Sequence, residues 1–163
     1  MADEVDLILT AWGRELPDVD VTPLGSLSRI SRLAKHLDRA RRDAFAAHEL
    51  EVWEFDVLAA LRRKGRPYVL SPGDLIRATL STSGTMTNRV NRLEARGLVI
   101  RRPNNDDRRG VLVQLTEEGR NRVQHALADL LAYERRVLGV INPAEREDLA
   151  VVLRRLLAPF ERA

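Results

Sequence analysis

Apolar positions recur three and four residues apart along both ends of the chain and shorten into turn-punctuated runs in the middle. Val5, Ile8, Leu9, Trp12 and Leu16 predict an amphipathic helix over 4–16, which Pro17 stops. After the short linker DVDVTP, residues 23–47 predict a long helix. Ile30, Leu33, Ala34, Leu37, Ala44 and Phe45 fill one side, and Arg29, Arg32, Lys35, Arg39, Arg41 and Arg42 the other. Residues 50–63, LEVWEFDVLAALRR, are apolar nearly all round, so this helix is expected at the centre of the fold. KGRP ends it, and YVL has the length of a single short strand.

Ser71 followed by Pro72 is an N-cap and a first helical position, which opens a short helix over about 72–78. A second helix runs over about 82–96 and ends at Gly97, a residue suited to a helix C-terminus. Two short helices joined by a tight turn make a helix-turn-helix. LVIRRP and GVLVQLT follow, both β-branched and of strand length, on either side of the polar run PNNDDRRG. They predict a β-hairpin. Thr116 caps a helix over about 117–138, and Asn142 with Pro143 opens a last one to about 159. A helix-turn-helix followed directly by a hairpin is a winged helix. The fold class is therefore mainly α with a small β-hairpin wing, in one domain.

On a helical wheel of residues 81–97, Met86, Val90 and Leu93 form the core face. Gly84, Asn88, Asn91 and Arg92 lie opposite, with Thr85 beside them. Solvated helix faces are usually rich in Glu and Lys, and this one has neither. Small residues let a helix sit deep in a major groove, Asn reads adenine in a bidentate way, and Ser and Thr bond base edges or phosphates. Ser83, Thr85, Thr87, Asn88, Asn91 and Arg92 are therefore the candidate DNA contacts of this helix. Arg89 lies on the flank, placed either for a phosphate or for a carboxylate inside the protein.

Charge agrees. Net charge is +3, but residues 1–20 carry one base against six acids, residues 21–116 eighteen bases against ten acids, and residues 117–163 eight of each. A basic centre between acidic and neutral flanks suits a polyanion. There are no cysteines, which excludes disulfides, thiolate metal sites and thiol-oxidation sensing. His36, His48 and His125 form no ligand pattern, so no metal is expected. No Gly-rich phosphate loop, zinc motif or nucleophile elbow is present, so neither catalysis nor a cofactor is expected. No apolar run is long enough for a transmembrane helix, and the acidic N-terminus lacks a basic signal region, so a cytoplasmic location is expected.

The run STSGTMTNRVNRLEARGLVIRRPNNDDRRGVLVQLTEEG, residues 81–119, resembles the MarR family of winged-helix transcriptional regulators, and the flanking helices match its layout. The resemblance implies an obligate homodimer: a winged helix-turn-helix lobe over 51–116, and dimerisation helices in 1–50 and 117–163. Each subunit would offer one recognition helix to half of a pseudo-palindromic operator on double-stranded DNA, with half-sites on the order of 34 Å apart. The family's wing motif, Asp-x-Arg, falls on Asp107-Arg108-Arg109. It implies that Arg109 enters the minor groove while Asp107 fixes its aim, and a narrow A·T groove concentrates the potential that attracts a guanidinium.

The extra N-terminal helix with Trp12 is similar to the urate-responsive branch of that family. This implies a repressor released by a small anionic aromatic ligand such as urate, held by Trp12, Asp56, Arg63, Arg89 and Arg101. Asp56 stands out without the family, as a carboxylate on a mostly apolar helix that wants a cation or a ligand. Arg63, seven residues on, shares its face, so the two read either as a ligand site or as a structural ion pair; Trp12 reads either as a ligand wall or as a dimer-core aromatic. A phenolic or other aromatic acid is the alternative ligand, and a winged-helix protein-interaction module the alternative function.

Overall fold

The computed structural model describes residues 2–104 and 110–161. Seven helices and three strands follow in the order α1 (Glu4–Glu15), α2 (Thr22–Ala46), α3 (Val52–Arg63), β1 (Val69–Leu70), α4 (Pro72–Thr79), α5 (Ser83–Ala95), β2 (Val99–Pro103), β3 (Val111–Leu115), α6 (Glu117–Leu138) and α7 (Pro143–Leu157). The winged-helix order expected from the pattern is what forms. The wing is a three-stranded antiparallel sheet rather than a lone hairpin. Its order is β1-β3-β2, because Val69 and Leu70 pair with Gln114 and Val113 on the free edge of β3.

Local chemistry sets the boundaries. Ser71 and Asp74 form a capping box at the start of α4, and their hydrogen bonds hold the Asp74 carboxyl below its ordinary range. Thr82, Thr116 and Asn142 cap α5, α6 and α7 with their side chains. Gly97 takes a positive φ just past α5, which returns the chain into β2. Gly119 is needed for a different reason: a Cβ there would overlap the carbonyl oxygen of Leu98, so only glycine lets the start of α6 lie against the start of β2.

The core is centred on α3, with the end of α2 and part of α6 packed into it. Val57, Leu58 and Leu61 of α3 are fully buried against Leu75 of α4, Met86 and Leu93 of α5, Val99 and Val113 of the sheet, and Val123 and Ala126 of α6. At the end of α2, Phe45 stacks on Phe55 with ring centroids 3.9 Å apart, which fixes the long helix to α3. Outside this core, α1 lies along the first half of α2: Arg29 bonds Asp3 and Asp6, and Arg32 bonds Glu4. Among the described residues α7 has none buried.

Candidate nucleic-acid interface and ligand cavity

The helix-turn-helix is α4 and α5. Its turn begins at Leu80, which closes α4 in the left-handed region at φ 49°, with the Leu80 and Ser81 N–H groups both donating to the Ile76 carbonyl. Thr82 then accepts from the Thr85 N–H and starts α5. Met86, Val90 and Leu93 of α5 are buried in the core. Ser83, Gly84, Thr85, Thr87, Asn88, Asn91 and Arg92 are all exposed. No acid lies among them.

Their hydrogen bonds separate them. Thr87 donates to the Ser83 carbonyl, as helix threonines do, which leaves its oxygen as an acceptor. Asn91 Oδ1 accepts from Arg101 Nη2 at 2.5 Å, and Arg101 of β2 also pairs with Glu94. Bidentate reading of adenine needs the amide oxygen and nitrogen together, so Asn91 must release Arg101 to do it. Asn88 has no partner among the described residues and keeps both groups free. Arg92 is half-exposed and bonds Glu51 Oε1 at 2.5 Å. Its guanidinium carbon lies 4.7 Å from the Trp53 ring centroid, and that of Arg89 lies 5.6 Å away. The Trp53 Nε1–H donates to Glu51 Oε2 at 2.6 Å.

In the wing, β2 and β3 pair from Val99 opposite Leu115 to Pro103 opposite Val111, and the Asn104 N–H donates to the Gly110 carbonyl. Asp107, Arg108 and Arg109, on which the minor-groove expectation rests, lie outside the described residues.

A cavity of about 610 Å³ opens where the end of α2 and the start of α3 meet α5, lined by Arg42, Ala46, Leu50, Glu51, Val52, Trp53, Asp56 and Arg89. Two of the five sequence candidates for ligand binding, Asp56 and Arg89, meet here. Asp56 pairs with Arg41 of α2 at 3.3 Å, not with Arg63. The shared helix face put Asp56 and Arg63 in line, but two turns separate them, and α2 supplies a cation at closer range. Arg63 sits at the far end of α3, on a separate groove of about 450 Å³ with Phe55, Ala59, Arg62, Val123, Gln124 and Leu127. Arg101 is occupied on α5, as above.

Trp12 is at a distance too. The antiparallel ion pairs of α1 on α2, with Leu9 against Gly25, place Trp12 beside the first turn of α2. About 28 Å of helix, at roughly 1.5 Å per residue, then separates it from Arg41 and Asp56. Within one chain the aromatic wall of the cavity is Trp53.

Sequence reasoning missed Trp53 and Glu51, because LEVWEFDVLAALRR read as apolar all round, and it placed Arg42 on the basic side of the long helix without assigning it to the cavity. It also missed Glu54, fully buried, whose Oε2 accepts from Arg96 Nη1 at 2.5 Å and from the Glu51 N–H at 2.9 Å. Arg96, just past α5, also donates to the Glu49 carbonyl at 2.6 Å, so the end of α5 is bolted to the loop before α3. Acids three apart at the start of a helix, Glu51 and Glu54, were the available sign of a capping box.

Comparison with known proteins agrees with this geometry. The MarR family model matches residues 48–110. Over 153 residues the chain is 37% identical to the HTH-type transcriptional regulator PecS of Dickeya dadantii, covering 94% of this chain and 92% of that one. Among solved structures, a mutant of Escherichia coli MarR complexed with operator DNA is similar at TM-score 0.66 and 25% identity, over 90% of this chain and 97% of that one. Bordetella bronchiseptica BpsR, whose DNA binding is regulated by 6-hydroxynicotinic acid, is similar at TM-score 0.60 and 30% identity, over 78% and 91%.

Proposed function

The chain belongs to the MarR family of winged-helix transcriptional regulators and is a DNA-binding regulator rather than an enzyme; from that premise we propose that it works as a homodimer on a pseudo-palindromic operator and is a repressor released by a small anionic aromatic ligand. The observation that carries the DNA reading is the exposed, acid-free face of α5 opposite Met86, Val90 and Leu93. On this reading Asn88 reads a base edge, Ser83, Thr85 and Thr87 bond bases or phosphates, Arg92 meets a phosphate, and Asn91 contributes through its free NH₂ group. Arg109 enters the minor groove with Asp107 fixing its aim, and Arg108 beside them is a further DNA contact. Residues 51–116 form the DNA-binding lobe, and the helices within 1–50 and 117–163 join the two subunits. No helix among the described residues is long and apolar enough to cross a membrane, which is in keeping with a regulator acting on cytoplasmic DNA.

The ligand is a planar anion such as urate, held between the indole of Trp53 and the guanidiniums of Arg42 and Arg89, with Asp56 accepting a ring N–H. A phenolic or pyridine acid fits the same wall and cations, and the likeness to BpsR favours that second reading. Trp12 joins such a site only if the partner's first helix supplies it. A ligand lowers DNA affinity by binding the non-DNA conformer better. The cavity lies against Arg89 of α5, so filling it acts on the recognition helix directly.

A gel shift with the gene's own upstream DNA at low salt tests the regulator. A specific, palindrome-dependent shift is expected, and its absence would end the reading. Titrating urate and 6-hydroxynicotinate into the complex tests the ligand: release by one and not the other names the class, and release by neither removes both.

A further inference from the structure

Arg92 is the one cation on the exposed face of α5, and an arginine there would ordinarily wave in solvent. Here it is mounted. The guanidinium carbon lies over the Trp53 ring, 4.7 Å from its centroid, and Glu51 takes one N–H at 2.5 Å. Glu51 is in turn fixed by the Trp53 indole N–H at 2.6 Å, and as the N-cap of α3 it sits on rigid backbone. The hydrogen bonds from Trp53 and Arg92 hold its carboxyl below the ordinary range, so it is ionised at neutral pH. Arg92 lies four residues after Asn88, one turn along the same face.

Two opposite consequences compete. A carboxylate beside an arginine repels an incoming phosphate and takes up a donor. It also removes the freedom that a loose arginine would lose on contact. The donor count decides between them. A guanidinium has five N–H groups; Glu51 takes one of those of Arg92, and the side chain remains 59% exposed. A phosphate can therefore take the open edge without breaking the pair.

We propose that Glu51 and Trp53 are positioning residues for Arg92, holding its guanidinium ready for a DNA phosphate and so setting operator affinity. The inference rests on the DNA-binding reading above. It also gives the cavity a direct output, because the two side chains that mount Arg92 are part of its wall.

The test is operator affinity of the full chain at several salt concentrations for wild type, Glu51→Gln, Arg92→Gln and the double variant. Gln at 51 keeps an acceptor for the α3 cap and for Trp53, so melting temperature should hold. Glu51→Gln is expected to weaken binding about tenfold, the size of one charge-assisted contact. Arg92→Gln is expected to weaken it at least as much and to lower the salt slope by about 0.9, one phosphate contact. The double variant should match Arg92→Gln alone. Tighter binding by Glu51→Gln would show that the carboxylate competes with DNA, and losses that multiply would show that Glu51 acts elsewhere; either overturns the proposal. Trp53→Leu gives a second check: a loss in the wild-type background and none in the Arg92→Gln background. Wild type that binds no specific DNA takes down the regulator reading as well, a different failure from wild type that binds and variants that do not differ.

Discussion

The DNA-binding lobe and the terminal helices solve the burial problem in different ways. Around α3 the lobe closes on itself, with Val57, Leu58, Leu61, Leu75, Met86 and Leu93 almost entirely out of water. The terminal helices have the same apolar periodicity and do not close. In α7, Leu149, Val152, Leu156 and Leu157 all stay exposed, and beyond the ends of α6 and α7 Val140 and Phe160 are 87% and 80% exposed. Along α1 and α2, Leu7, Trp12, Leu27 and Leu33 are exposed as well. One polypeptide leaves these side chains uncovered, whereas a second copy would cover them. On the homodimer proposed above, the same hydrophobic pattern specifies intrachain packing in one region and assembly in the other.

The largest expected effect breaks the terminal half of that contrast. Val152→Glu with Leu156→Glu puts two charges on the exposed apolar face of α7. Analytical ultracentrifugation should then find a monomer, and operator affinity should fall by about 10²–10⁴, the gain from binding two linked half-sites. The lobe should remain folded by circular dichroism. A variant that stays dimeric would mean that this face is not the interface.

Next in size is a cavity in the lobe. Leu58→Ala should cost about 2–5 kcal/mol in a denaturant melt, as large-to-small changes at sealed sites do. The lobe loses stability here, and the dimer does not loosen at protein concentrations where the fold survives. A fall in dimer affinity as large as the fall in stability would show that the two regions fold as one.

Within the DNA-facing surface, Asn88→Ala and Asn91→Ala should differ. Asn88 has its whole amide free, so its loss should cost about 1–3 kcal/mol and relax the preference at one base pair. Asn91 lends its oxygen to Arg101, so its loss should weaken binding less and evenly across sequences. Competition binding against operators changed one base pair at a time measures both, and equal effects would erase the distinction.

What was readable in the sequence follows the same division. Period and caps gave the order of the helices and the inward face Met86–Val90–Leu93, because those signals act within a few residues. The outward face of α5 followed as its complement. The ligand candidates were less legible. Asp56 and Arg63 share a helix face, but the nearest cation is Arg41, brought by the Phe45–Phe55 stack from a different helix. Trp12 drew notice through the resemblance to the urate-responsive branch, whereas Trp53 was hidden inside an apolar run although it walls the cavity and lies beneath two arginines. Pairings between residues far apart in sequence depend on how helices cross, which no short window encodes. The place of the first strand was hidden for the same reason: YVL has the length of a strand, but its pairing on the free edge of β3 depends on how the lobe folds.

The smallest expected effect concerns an exception on the lobe's side of the comparison. Leu80, in the turn of the helix-turn-helix, is 96% exposed and holds a left-handed φ of 49°. It has neither the burial of the lobe nor the helical setting of the terminal faces, and a β-carbon in that conformation costs roughly 1 kcal/mol. Asparagine tolerates the left-handed region and has no exposed apolar surface, so Leu80→Asn should raise stability by about 0.5 kcal/mol with dimer affinity unchanged. Operator binding supplies the sharper reading. The turn adjoins Thr82 and the start of α5, which the reading above sets against DNA. If Leu80→Asn stabilises the fold and leaves operator affinity alone, the strain is incidental to the turn. If it stabilises the fold and weakens binding, the leucine is kept for a contact with the duplex, and this most exposed of the lobe's large apolar residues, like those of the terminal helices, waits for a partner.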